Sequence, residues 1–253
     1  MSSSIWTQSA GSSRIRRLTS EPRRIVEAQH RVSTRKLVDS DREQAILEQL
    51  LDSSKPPLPA DAGGLHYLLS TPFRYPPLAH GSRFGPRWER GIWYGSESLQ
   101  TALAEVAYYR LVFLEGTEAP LAPLETELTA FTVPVMARRG IDLSSRAFER
   151  WGDALTSKTT YAGTQPLGRA MRAAGVEAFR FVSARDPGGG TNIGVFTAAA
   201  FGAPRPRKLQ TWHSVATRAA VEFSKRDYFE RLSYSFPREL FLVRGALPHP
   251  AIG

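Results

Sequence analysis

The chain has 253 residues, 42% hydrophobic and 23% charged, with 33 Lys+Arg against 24 Asp+Glu for a formal net charge of +9, a make-up that suits one large globular domain. The absence of cysteine excludes disulfides, thiolate metal sites and cysteine nucleophiles together, and fits a reducing compartment. No apolar stretch approaches a membrane span or a secretory leader, so a soluble, cytoplasmic protein with no membrane role is expected.

Residues 1–20 mix Ser, Gly, Gln and Arg and are expected to be poorly ordered, with a single domain over 21–253 that begins with a helical extension. Residues 23–38 carry Ile25, Val26, Ala28 and Val32 without a clean helical or strand period, and their type stays open. Ser40 and Glu43 have the spacing of a capping box. They open a helix through Leu51 whose Ile46, Leu47, Leu50 and Leu51 form one apolar stripe, closed by Pro56 and Pro57. After a Pro/Gly-rich loop to Gly64, residues 65–69 and 91–94 read as short β-forming elements around a long loop with Pro76, Pro77, Gly81, Gly85 and Pro86. Ser96 or Ser98 caps a helix from about Leu99, with Leu99, Ala102, Leu103 and Val106 on one face. Glu105 falls beside that face, with Ala102 and Tyr109 as its helical neighbours, so its carboxylate can point along the core edge toward a cleft.

Residues 127–135 read as a strand, 145–155 and 165–174 as helices, and 179–184 as a strand with Phe179, Phe181 and Ser183 on one face. Asp186-Pro187-Gly188-Gly189-Gly190 supplies a turn and residues 192–197 a returning strand, which makes a hairpin. Strand pieces follow at 207–213 and 240–243. The fold class is α+β, mainly antiparallel sheet with flanking helices.

Familiar chemical motifs are absent. The five histidines stand at least fourteen residues apart, which leaves no local ligand pair, so no metal is expected. Gly188-Gly189-Gly190 lacks the spacing of a dinucleotide fingerprint and the Lys-Ser/Thr ending of a P-loop, and no Gly-x-Ser-x-Gly elbow occurs. The basic balance favours acidic partners. Its arginines are dispersed and no groove-reading motif accompanies them, so direct nucleic-acid binding is not expected; a non-catalytic basic binding module is the contrasting class.

Gly81-Ser82-Arg83-Phe84, then Gly91-Ile92-Trp93-Tyr94-Gly95-Ser96, then Thr101-Ala102-Leu103-Ala104-Glu105-Val106, resemble the RES domain, the toxin of bacterial RES-Xre toxin–antitoxin pairs. Val182-Ser183-Ala184-Arg185, a Gly-rich turn and Asn192 resemble that family's C-terminal motif, and order, spacing and residue type agree over about 110 residues. Val26-Glu27-Ala28-Gln29-His30 with Ser33 to Asp39 looks like the longer-form members. The resemblance implies a fold similar to diphtheria-toxin-type ADP-ribosyltransferases, NAD⁺ as the consumed substrate, and a cognate antitoxin with a DNA-binding, Xre-like part. It leans toward ADP-ribose transfer to a protein, such as an enzyme of nucleotide synthesis as in related members. The alternative is NAD⁺ glycohydrolysis or phosphorolysis in the same site.

The residues suit that chemistry. Breaking the nicotinamide–ribose bond develops positive charge at the ribose carbon, which a fixed carboxylate can stabilise, and Glu105 is the candidate. Arg35, Arg74 and Arg83 can supply forked donors to the diphosphate, Arg83 foremost. Tyr94 offers a ring for stacking, Ser183 a hydroxyl to position Glu105 or the ribose, and Asn192 polar support behind the turn. Trp88 and Trp93 flank the cleft so implied, where an antitoxin element could insert. Taken singly, each of these residues would read as a solvated or core-edge side chain.

Overall fold

The computed structural model describes residues 4–28, 38–75, 80–119, 121–227 and 231–249. In chain order it runs α1 (Ile5–Gln8), β1 (Arg16–Ser20), β2 (Arg23–Glu27), α2 (Asp41–Ser54), α3 (Tyr67–Arg74), β3 (Trp93–Ser96), α4 (Leu99–Glu115), β4 (Leu124–Thr132) and β5 (Val135–Asp142). There follow α5 (Gly152–Leu155), α6 (Thr164–Ala173), β6 (Ala178–Val182), β7 (Thr191–Val195), β8 (Arg207–Ala216), β9 (Ala220–Lys225) and β10 (Ser233–Pro237), with short 3₁₀ turns between. The strands lie in the order β1-β5-β6-β7-β3-β2-β4-β8-β9-β10. Only β5 and β6 run parallel among these neighbours, so the α+β, mainly antiparallel architecture expected from the sequence is the one present.

The sheet is nearly divided at its middle. β2 meets β3 at Arg23 and Ser96 alone, whereas β2 pairs with β4 from Arg23 to Glu27 and β3 with β7 along its whole length. Beyond that single bridge the two strands splay, and the Tyr94 carbonyl takes its hydrogen bond from Arg24 Nη1 at 2.8 Å in place of a ladder partner. Each half has apolar packing of its own, while a third cluster, with Phe131 of β4, Trp93 of β3 and Ile193 of β7, spans the divide. On one side Leu103, Ala107, Leu111 and Leu114 of α4, spaced at helical intervals, pack on Leu128, Trp212, Val221 and Phe223. On the other, Leu167 and Met171 of α6 pack on Phe84, Phe179 and Phe181. Full burial of side chains of this size is worth about 1.5–3 kcal/mol each, so both half-sheets are firmly backed. The gap between them is a built feature.

Several expectations need correction. Residues 5–20 are ordered: Ile5, Trp6 and Ile15 pack on the α6 cluster, and β1 pairs with β5. A few apolar residues scattered among serines and arginines carry too little periodicity to announce this. The open segment at 23–38 begins as strand β2, and its residues 29–37 lie outside the described residues. Residues 65–69, read as β-forming, instead enter α3, where His66 caps the Leu68 N–H and Leu69 and Phe73, four apart, share the buried face. The strand read at 127–135 ends at Thr132, because Pro134 lacks the N–H a ladder needs, and a separate strand, β5, starts at Val135. Residues 240–243 form no strand: Arg238–Phe241 is a 3₁₀ turn. In α2 the Ser40 side chain accepts from the Glu43 N–H, but the Glu43 carboxylate accepts from Asp39, one residue outside the box expected. Its stripe residues Ile46, Leu50 and Leu51 are exposed.

Candidate functional site

The cleft opened between β2 and β3 encloses about 260 Å³ and is lined by Arg24, Arg83, Tyr94, Glu105, Arg185 and Asn192, among others. α4 delivers Glu105 to it. Ser98 caps that helix by accepting from the Thr101 N–H at 3.0 Å, and the buried Leu103 and Ala107 on either side of Glu105 in the chain turn its carboxylate to the core edge.

The carboxylate is held by one oxygen. Glu105 Oε1 accepts from Ser183 Oγ and from Asn192 Nδ2, both at 2.7 Å, while Oε2 has no hydrogen-bond partner among the described residues. The directions of these bonds are fixed by what stands behind them. Ser183 Oγ accepts from the Arg185 and Asp186 N–H groups, each at 3.0 Å, so both lone pairs are occupied and its proton goes to Glu105. Asn192 Oδ1 accepts from Ser96 Oγ at 2.6 Å, which leaves the amide nitrogen to face Glu105. Asp186 then ties the hairpin turn to α4 one turn before Glu105, accepting from Thr101 Oγ1 at 2.7 Å. The approach is close enough that a Cβ on Gly190 would lie 2.0 Å from Thr101 Oγ1. Ser183 is therefore a positioning donor whose lone pairs are spent.

Lining the same cleft are guanidiniums that meet no carboxylate among the described residues. Arg83, buried, donates through Nη1 to the Leu155 and Ser157 carbonyls at 3.2 and 2.9 Å and lies 5.1 Å from the Tyr161 ring centre. Arg185, also buried, lies 3.5 Å from the Tyr108 ring centre and donates to the Lys158 carbonyl at 3.3 Å. Burial lowers the Arg24 pKa to about 10, which keeps it cationic at neutral pH. Burial also raises Tyr94 to about 12, against the lowering effect of its hydrogen bond with Ser82, so it remains a neutral phenol. Behind the cleft, Arg180 grips Glu97 through two bonds at 2.8 and 2.9 Å, and Thr191, next to Asn192, donates to the same carboxylate. A more apolar groove of about 640 Å³ adjoins the cleft across Glu105, Val106 and Tyr109, continuing along Val26, Phe113, Leu124 and Leu128.

The structure thus brings Arg83, Tyr94, Glu105, Ser183 and Asn192 together. Arg74 does not line the cleft: it ends α3, and its Nε donates to the Pro56 carbonyl. Arg35 lies outside the described residues. Trp93 is fully buried beneath β3 and cannot flank an opening, whereas Trp88 is exposed. Sequence reasoning missed Arg24, Arg185, Asp186, Thr101 and Tyr161. Arg185 and Asp186 directly follow Ser183, so the motif pointed at them; Tyr161 sits in a polar loop with no periodic signal. Among the described residues no helix is long and apolar enough to cross a membrane.

The family model of the RES domain matches residues 58–216, which include Arg83, Tyr94, Glu105, Ser183 and Asn192. No curated protein matches the chain. Among solved structures, a chain of the M. tuberculosis MbcT-MbcA toxin-antitoxin complex is similar at 13% identity, with a TM-score of 0.48 over 85% of this chain and 94% of that one.

Proposed function

The chain belongs to the RES-domain family, and from that premise we propose that it is the toxin of a toxin–antitoxin pair and consumes NAD⁺, transferring ADP-ribose to a protein acceptor. A cognate antitoxin with an Xre-like, DNA-binding part is its proposed partner. The observation that carries the reading is the charge layout of the cleft: one carboxylate, anchored through Oε1 alone, opposite Arg24, Arg83 and Arg185, none of which meets a carboxylate among the described residues. NAD⁺ has the complementary layout, a cationic nicotinamide ring at the reacting ribose and an anionic diphosphate further along.

In this reading the enclosed volume takes the nicotinamide and its ribose, with Tyr94 supplying a neutral ring to stack on, and the diphosphate meets Arg83. Glu105 Oε2 accepts from a ribose hydroxyl. As the C–N bond breaks, its electron pair leaves with nicotinamide, which departs neutral. Glu105 stabilises the positive charge left on the ribose carbon, and the acceptor's nucleophile forms the new bond there and gives up its proton to solvent. The adjoining apolar groove supports a protein acceptor, because water or phosphate would gain nothing from Val106, Tyr109 and Phe113, which line it on from Glu105.

The test is incubation of the purified chain with NAD⁺ labelled in its adenylate part, with and without cell extract. Label on a discrete protein band is expected, and Glu105→Gln is expected to cut its rate of formation to a small residual, because a neutral amide cannot stabilise the developing cation. Free ADP-ribose or its phosphate in place of labelled protein would instead establish cleavage by water or phosphate, and unchanged NAD⁺ would sink the enzymatic reading.

A further inference from the structure

Arg185 is the most enclosed guanidinium of the cleft, with 3% of its surface exposed against 9% for Arg83. Its Nη1 is buried and donates to nothing, and its Nη2 makes only the long bond to the Lys158 carbonyl. Neither arginine forms an ion pair among the described residues. A cation removed from water without a counter-charge is costly, and buried donors left without acceptors are rare enough in native proteins that each calls for a reason.

The surroundings of the two side chains are alike. Residues 155–158, the end of α5 and the start of the loop toward α6, present carbonyls to both: Leu155 and Ser157 to Arg83, Lys158 to Arg185. Each guanidinium also faces a tyrosine ring, Tyr161 for Arg83 and Tyr108 for Arg185. Carbonyl dipoles and ring faces orient a guanidinium and hold it in place, yet neither neutralises it. Both guanidiniums are fixed and largely withdrawn from water, and Arg185 Nη1 still lacks an acceptor, as the donor of a receptor for a small polyanion would.

We propose that Arg83 and Arg185 together form a two-armed receptor for a phosphate group, with the 155–158 carbonyls as its frame. The assignment of that group to the dinucleotide's diphosphate rests on the NAD⁺ reading; inorganic phosphate is the other source of the same chemistry. Arg185 Nη1 finds its missing acceptor on a phosphate oxygen, and the two arginines share the charge that one alone would meet.

The experiment is calorimetric titration of the full chain and of Arg185→Met with ADP-ribose, with nicotinamide riboside, which has no phosphate, and with inorganic phosphate. Arg185→Met is expected to weaken ADP-ribose by about tenfold or more, the loss expected for a hydrogen bond to a charged group, while nicotinamide riboside binds both proteins alike. Arg185→Lys, which keeps the charge and loses the fork, is expected to fall between them. A folded Arg185→Met that binds ADP-ribose and phosphate as the unaltered chain does would overturn the proposal. If the unaltered chain binds phosphate through Arg185 but neither ADP-ribose nor NAD⁺, the receptor stands and the dinucleotide reading falls. Should Arg185→Met fail to fold, Arg185→Gln keeps a donor for the Lys158 carbonyl without the charge and carries the same comparison.

Discussion

Removing the Ser183 hydroxyl tests the idea that Glu105 works because one of its oxygens is held. Ser183→Ala deletes one of two donors to Oε1, a 2.7 Å bond to a carboxylate, and a hydrogen bond to a charged group is worth about 1.5–3 kcal/mol. It also strips the Arg185 and Asp186 N–H groups of their shared acceptor, at about 1–3 kcal/mol for each buried donor that water cannot reach. The chain should lose roughly 2–4 kcal/mol of unfolding free energy, since part of the turn can admit water. With Asn192 Nδ2 still in place at 2.7 Å, kcat for NAD⁺ consumption should fall about 10- to 100-fold, equivalent to ~1.4–2.7 kcal/mol of barrier. Urea unfolding measures the first quantity and product formation the second. The discriminating measurement repeats Ser183→Ala in a Glu105→Gln background, where no carboxylate remains to be held, and the serine should there cost little further rate. If Ser183→Ala lost stability yet kept its full kcat, or cost as much rate without Glu105 as with it, the positioning argument would be refuted.

Two further outcomes follow from the surroundings of the site. Burial pushes the Glu97 pKa up, but hydrogen bonds from Arg180, Thr191 and Ser20 outweigh it and hold the group below its ordinary 4.5. A lowered folded-state pKa contributes stability that is present above the unfolded value and lost as pH falls through the folded one, so the urea-midpoint gap between the unaltered chain and Glu97→Gln should be steady near neutrality and close below about pH 4.5; a gap independent of pH would count against the arrangement. Arg74→Ala should leave the KM for NAD⁺ unchanged, because Arg74 is bonded to the Pro56 carbonyl outside the cleft, whereas Arg83→Ala should raise it; a matching rise for Arg74→Ala would return that residue to the site.

Local pattern was enough for α4, α6 and the β6–β7 hairpin. Each has its own capping, apolar spacing or turn chemistry within a short window, and the Ser98 cap, the helix expected at 165–174 and the Gly188-Gly189-Gly190 turn behave as read. The strands β9 and β10 were not legible, because their buried residues, Val221, Phe223 and Phe236, alternate with polar ones for only a few positions each. α3 was misread for a related reason: its β-prone residues are overruled by packing of Leu69 and Phe73 against a sheet that the local sequence does not mention.

The residue pattern pointed to the fold class, and its resemblance to the RES domain put Arg83, Tyr94, Glu105, Ser183 and Asn192 in one set. Tertiary structure decided the rest. That Glu105 is gripped by a single oxygen, that Arg74 is elsewhere, and that Arg185 joins Arg83 through carbonyls of residues 155–158 all depend on contacts between segments some 18 to 87 residues apart. The contacts of Glu105 and Arg185 arise where the half-sheets part beyond the bridge of Arg23 and Ser96, and that parting is a property of the assembled sheet, since neither strand carries in its own sequence the point at which its neighbour turns away.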